Sequence, residues 1–372
     1  MTRRFLPSAI SLALIISHSA LADYASLETY QGNPATEHTK SANQELAKQL
    51  PWQDVSAFER TKKGLIAEFG SHQAGELKKR TDNGYVIHDP LLSKQAAAAS
   101  WEFAKMHLPK VNGEHKITGM IYSHMHADHF GGSRGIIESG DFIEGAPIYA
   151  PNDFIKELAD ENVIAGTAMS RRANYQYGTT LDNNPQGIVD NALGLGTSRG
   201  EVTLVAPTQE ISEREKVITI DGLELHAINM PGAEAPAEIV LYVPKYRSLN
   251  TAELTYDGMH NIYTFRGAKV RDALVWTKYL TELKLRYVDS GLVDNIHAAH
   301  SAPVWNEANT ENNEISDYMT LQRDNYGFIH NQAMRLAHQW LPRFIQSQRS
   351  CCGEFVSWLS RHEPSEHQSV AN

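Results

Sequence analysis

Residues 117–132 read Ile117-Thr118-Gly119-Met120-Ile121-Tyr122-Ser123-His124-Met125-His126-Ala127-Asp128-His129-Phe130-Gly131-Gly132. The short apolar run that opens the stretch predicts a buried strand. It leads straight into a polar cluster, and two glycines then precede a helix. The cluster therefore stands at the carboxyl end of a strand, where α/β proteins build their sites. Three imidazoles and a carboxylate crowded into one turn are costly to hold unless a cation neutralises and orients them. Borderline-soft divalent metals do this, zinc first. Alternation along an extended segment puts His124 and His126 on one side, able to share a metal. Asp128 and His129 follow once the chain turns and can reach a second metal nearby. Gly131 and Gly132 read as allowing a tight turn into the next helix. With 17 His in the chain some crowding is expected, but solvated loop histidines have no reason to follow this ordered spacing.

The pattern extends outward as strands alternating with helices. Residues 85–89, closed by Pro90, read as a strand, and the Ala-rich residues 93–108 as a helix. Residues 43–50, 54–69 and 152–163 also read as helices. Residues 201–206, 216–220, 223–229 and 238–243 read as strands, with Asp221-Gly222 a hairpin signal. Residues 269–285 and 315–338 are amphipathic. Recurrent strands with helices between them predict a layered α/β fold. Four ligands are too few for two metals, and the downstream loops offer more: Glu234 in Pro231-Gly-Ala-Glu234, Glu253 in Thr251-Ala-Glu253, and His297-Ala-Ala-His300. Taken singly each is weak, because Glu is common on surfaces and a lone loop His is more often solvated.

Composition sets the outer limits. The 372 residues are 41% hydrophobic and 21% charged, enough for a packed core and against wholesale disorder. A net charge of −10 argues against a large nucleic-acid footprint. The two Cys, Cys351 and Cys352, are adjacent, which excludes a disulfide scaffold and a Cys-rich zinc ribbon. The N-terminus reads as a secretory signal, residues 1–22. Arg3 and Arg4 are its basic start, residues 10–16 its apolar centre, and Ala20-Leu21-Ala22 a small-x-small cleavage site. A periplasmic or secreted product is the expectation. The apolar stretch is too short to span a bilayer.

The His124-x-His126-x-Asp128-His129-x-Gly131-Gly132 motif resembles that of the metallo-β-lactamase superfamily. Further stretches in the same order narrow the resemblance to the linear alkyl sulfatases, the zinc-dependent class acting on dodecyl sulfate. They are Ser170-Arg-Arg-Ala173, Tyr175-Gln-Tyr177-Gly178, Ala206-Pro-Thr208, Pro231-Gly-Ala-Glu-Ala-Pro-Ala-Glu238, Ala252-Glu253, and the run from His260-Asn261 through Arg266 to Arg271-Asp272. His300-x-x-Pro303-Val-Trp305 and the residues from Ile329-His330 to Ala337 complete the series. The resemblance implies an αββα sandwich, with its first sheet open to being incomplete. It implies one zinc on His124, His126 and Glu234, and a second on Asp128, His129 and His300, with Glu253 also at a ligand position between them. It further implies that Asn261 and Arg266 hold the sulfate group and that His260 assists the leaving oxygen. A guanidinium suits this task because it can offer a sulfate face two parallel hydrogen bonds.

The implied organisation is a signal peptide (1–22), an N-terminal helical extension (23–83), a catalytic domain (84–310), the start of a helical, dimerisation-like region (311–339) and a divergent tail (340–372). An alkyl sulfate is the expected small-molecule substrate, and a homodimer is expected if the helical region suffices for one. The sequence departs from the family pattern in three respects. Relatives carry several dozen more residues before the strand at Tyr85. Ala302 and Leu254 stand where the family has Trp and Asn. The likeness stops near Gln339; a shifted reading frame would produce the Ser-, Arg- and His-rich composition that follows, and a genuine short tail is the competing reading. Two other functions remain open on the residues alone: another hydrolase of the same fold (a lactonase, thioesterase or β-lactamase), and an inactive remnant that binds metal.

Overall fold

The computed structural model describes residues 80–361, apart from 107, 183–186, 188–199, 257, 301–302 and 307–312, with side chains described as far as residue 339. The expected signal peptide and nearly all of the N-terminal extension lie outside the described residues. Four parallel strands form the first sheet in chain order: β1 (Tyr85–His88), β2 (Ile117–Ile121), β3 (Ile148–Pro151) and β4 (Gln209–Ile211). The second sheet has six strands. Its order is β10 (Val304–Trp305), β9 (Asn295–His297), β8 (Ser248–Asn250), β7 (Ile239–Val243), β6 (Leu223–Asn229) and β5 (Glu215–Ile220). Its pairs are antiparallel except β8 with β9.

Alternation of side chains along these strands separates three cores. Val86, Ile121 and Ile211 from the first sheet meet Ile220, Leu225, Ala227, Ile239 and Leu241 from the second, and fill the space between the sheets. The next residues along the same strands point outward. Ile87 and Met120 pack against Trp101, Phe103 and Ala104 of α1 (Lys94–Lys105). On the opposite side, Val240 and Tyr242 pack against Trp276, Leu280 and Leu283 of α6 (Ala273–Leu283) and against Ile315, Met319 and Tyr326 of α7 (Glu314–Arg361). The order of layers is therefore helix, sheet, sheet, helix, which is the αββα sandwich. At Gly119 the two sheets approach closely: a Cβ there would lie 2.8 Å from Ile220 Cγ2.

Between these layers run the short α2 (Ala127–Phe130) and α3 (Ser133–Ile137), α4 (Phe154–Leu158), which continues as a π-helical stretch over Ala159–Ile164, and α5 (Gly166–Tyr177). Three expectations need correction. Residues 201–206 form no strand. Their backbone instead ties down helix ends, with Thr203 N–H donating to Gly131 O (2.7 Å) and Val205 N–H to Ser133 Oγ (3.0 Å), while Glu201 O accepts from Lys94 N–H (2.9 Å). Gly131 and Gly132 have ordinary negative φ, −61 and −88. They are required for close approach, because a Cβ on either would collide with the carbonyl oxygen of Leu92 or Pro90. The helix expected from residue 269 starts at Ala273, since Asp272 caps it by accepting from the N–H groups of Leu274 (2.9 Å) and Val275 (3.1 Å). Asp272→Ala should therefore lower the unfolding free energy by about 1 kcal/mol. Urea denaturation checks this, and no change would deny the cap its role.

Candidate metal centre

The motif after β2 is stitched to the second sheet. His124 bridges Glu238, and Ile239 N–H donates to Ser123 O (2.8 Å), so the ends of the two sheets meet at the cluster. His126 keeps an extended backbone (φ −74, ψ 145), and α2 begins directly after it. That break sends Asp128 and His129 in a different direction from His124 and His126. Glu234 lies in the turn joining β6 to β7, Glu253 follows β8, and His300 follows β9. His300 has φ 60, and Ala252, beside Glu253, has φ 50. Both are left-handed conformations uncommon for non-glycine residues, and such strain concentrates at functional sites.

Among the described residues these side chains form two groups, His124–His126–Glu234–Glu253 and Asp128–His129–Glu253–His300. Within each group the ligand atoms lie within 4.8 Å of one another. In the first, Glu234 Oε2 is 3.1 Å from His126 Nδ1 and 3.3 Å from His124 Nε2. In the second, Glu253 Oε1 is 3.0 Å from His129 Nε2 and also contacts His300 Nε2, while Asp128 Oδ2 is 3.1 Å from His300 Nε2. Glu253 belongs to both groups. His124 Nε2 and Glu234 Oε2 are buried without a hydrogen bond. Two buried lone-pair donors facing each other are poorly satisfied unless a cation lies between them. The residues present thus fit a divalent metal site.

Charges in the cluster show the same demand. Burial and neighbouring His129 push His124 down to about 3. Burial works against ionised Glu234, yet His126 and Arg271 hold it at about 2. Burial would also lower His300, but the Glu253 and Asp128 carboxylates lift it to about 10. His129 is raised likewise, against its burial, by Asp128, Asp89 and Glu253. Protonated imidazoles here supply the positive charge that bound cations would supply instead.

The remaining expected residues stand at one side of the cluster. His260 Nε2 is 3.3 Å from Glu253 Oε2 and 3.6 Å from Glu234 Oε1, with its ring against Trp276. Arg266 Nη1 contacts Glu161 Oε1, and Glu161 Oε2 is 3.7 Å from His126 Nε2. Asn261 Oδ1 accepts from Arg271 Nη1 rather than standing free. Arg271, to which sequence reasoning assigned no role, is buried; it donates from Nε to Glu234 O (2.7 Å) and contacts Glu234 Oε1 through Nη2. Glu161 was also missed, because its segment reads as an ordinary solvated helix. The π-helical turn at Ala159–Ile164 carries it inward.

Two sheets packed face to face between helices, with histidines and carboxylates gathered where their strands end, define an αββα protein with a candidate divalent-metal site. No protein-family model matches the chain. It is 34% identical over 389 residues to a linear primary-alkylsulfatase of Pseudomonas sp., covering 88% of this chain and 56% of that one. It is 37% identical over 255 residues to an alkyl/aryl-sulfatase of Saccharomyces cerevisiae, covering 68% of this chain and 38% of that one. The solved structure of a stereoselective inverting sec-alkylsulfatase from Pseudomonas sp. superposes with a TM-score of 0.63 at 35% identity, over 70% of this chain and 40% of that one. The chain belongs to the alkylsulfatase family. It spans little more than half the length of the longest-matching curated relatives, 56% and 57%.

Proposed function

We propose that the chain hydrolyses linear alkyl sulfate esters, such as dodecyl sulfate, to alcohol and sulfate, using two zinc ions. The observation that carries this reading is the placement of His260 against Glu234 and Glu253, with Arg266 linked through Glu161 to His126. His124, His126 and Glu234 would hold one ion, Asp128, His129 and His300 the other, and Glu253 would contact both. When bound, such a pair lowers the pKa of a shared water and neutralises charge that develops during hydrolysis. Arg266 would orient the sulfate group, which would compete with Glu161 for the guanidinium, and Asn261, held by Arg271, would assist. His260 would face the ester oxygen that departs. The loop carrying these residues also exposes Met259, Tyr263, Phe265 and Val270, apolar side chains suited to an alkyl tail.

Sulfate release from dodecyl sulfate by the zinc-loaded protein tests the proposal. Arg266→Ala is expected to lower kcat/KM for the sulfate ester by about a hundredfold, the loss typical of one charge-stabilising donor. A neutral ester of the same chain length should be nearly unaffected. Equal losses on both would point to another hydrolase of this fold, and no turnover despite full metal loading to an inactive metal-binding remnant.

We also propose export to the periplasm or outside the cell, supported by the basic, apolar and small-residue succession of residues 1–22. Among the described residues no helix is long and apolar enough to cross a membrane. A homodimer through α7 is supported by its exposed Leu321, Phe328, Met334 and Leu336. Sedimentation of the purified chain tests it, and a monomer at micromolar concentration rejects it.

A further inference from the structure

We propose that Glu161 is a specificity-determining residue: its carboxylate, held against Arg266, selects singly charged sulfate esters over doubly charged phosphate esters with the same alkyl tail. The pairing of Arg266 with Glu161 has no task in hydrolysis itself. Arg266 Nη1 contacts Glu161 Oε1, and both side chains are largely buried. Each partner is held in place by its own element. Glu161 sits on the π-helical stretch Ala159–Ile164. Arg266 is pinned through its backbone N–H, which donates to Gln176 Oε1 at 2.8 Å. Gln176 belongs to the Tyr175-Gln-Tyr177-Gly178 stretch at the end of α5.

An anion that takes the guanidinium displaces this carboxylate, and among the described residues the neighbouring cations are already engaged. Beside Glu161 lies a cavity of about 130 Å³, walled mainly by Met125, Ala165, Met169, Pro236 and Ala268. The ammonium on the same wall, Lys269 Nζ, contacts Glu157 Oε2 and lies 3.3 Å from Asp160 Oδ2. Arg271 contacts Glu234, and His260 faces Glu234 and Glu253. The other near neighbour of Glu161 is His126, whose Nε2 is 3.7 Å from Oε2. The displaced carboxylate therefore stays at the edge of the anion site. Coulomb energy scales with the product of the charges, so a second negative charge on the ligand doubles the repulsion from Glu161. A sulfate monoester carries one charge, whereas a phosphate monoester carries nearly two above its second pKa of about 6. Both are tetrahedral oxyanions, which attractive contacts alone separate poorly. A built-in repulsive group separates them directly.

This inference rests on Arg266 as the group that holds the sulfate, but not on turnover. Its test is calorimetric binding to the zinc-loaded full chain of two probes with one tail. Octyl sulfonate carries one charge, and octyl phosphate nearly two at about pH 8. The parent is expected to bind the sulfonate at least as tightly as the phosphate. Glu161→Gln should bind both more tightly, because the competitor for Arg266 is gone, with the phosphate gaining about tenfold more than the sulfonate. Glu161→Asp keeps the charge and should keep the parent's order of preference. A purely structural role would shift both anions alike. The inference is overturned by a parent that prefers the phosphate, by equal gains for the two anions in Glu161→Gln, or by Glu161→Asp behaving as Glu161→Gln does. The parent comparison decides the matter even where Glu161→Gln fails to fold. A parent that binds neither anion overturns the assignment of Arg266. A parent that shows the expected preference, but releases no sulfate from dodecyl sulfate, overturns only the proposed turnover.

Discussion

Removing divalent cations with a strong chelator is expected to abolish sulfate release and to lower the melting temperature by roughly 10 °C. The physical basis is mass action on a crowded acidic cluster. Glu234, Glu253 and Asp128 are gathered into two neighbouring groups, and the unfolded chain has no comparable site. A ligand present at a thousandfold excess over its Kd stabilises the folded state by about 4 kcal/mol per site. For a domain of this size each kcal/mol corresponds to roughly 2–4 °C in Tm. Even one site lost in full accounts for the expected shift. Adding zinc back should restore both the melting temperature and activity, and comparing zinc with manganese and magnesium would identify the preferred ion. A melting temperature indifferent to chelation, with activity intact, would falsify the metal-dependent mechanism.

Which parts of this centre could be read from the chain depends on how each residue was brought there. His124, His126, Asp128 and His129 are neighbours in sequence, so local spacing alone displays them. Glu234, Glu253 and His300 are different, because each is a single residue at the end of a different strand. Only tertiary packing puts them within reach of the motif, and locally they look like solvated loop residues. The family resemblance singled them out where spacing left them open. Asp89 was misread for another reason: it reads as the last residue of the strand over 85–89, whereas it leaves the strand with a positive φ that sequence does not announce.

The sheets divide the same way. β5 and β6 were legible because they alternate over six and seven residues around Asp221-Gly222, whose φ values of 44 and 78 make the expected tight turn. β9 was not, since Asn295 and His297 are polar yet buried between neighbouring strands. β10 spans only two residues, too few for any periodic signal. Where a strand's identity comes from pairing rather than from its own side chains, pattern reading has little to use.

Replacing Glu253 should be the most damaging single change in the centre. Among the described residues it is the side chain common to both ligand groups. It is buried, and it faces His129, His300, His124 and His260 at once. His300 and His129 hold its carboxyl well below the usual range despite that burial. Glu253→Gln keeps the shape and removes the charge. It is expected to release both cations, with affinity falling by more than the roughly 10–100-fold typical of losing an outer partner, and with sulfate release lost in step. Glu238→Gln is the matched control. Glu238 is equally buried and lies near the same carboxylates, but it belongs to neither group. Burial, Glu234 and Glu253 push its carboxyl well above the usual range. Metal content should therefore survive in Glu238→Gln and fall in Glu253→Gln, as read by elemental analysis of the two purified variants. Equal metal content in both would mean that Glu253 shares the neighbourhood of the cations without holding them.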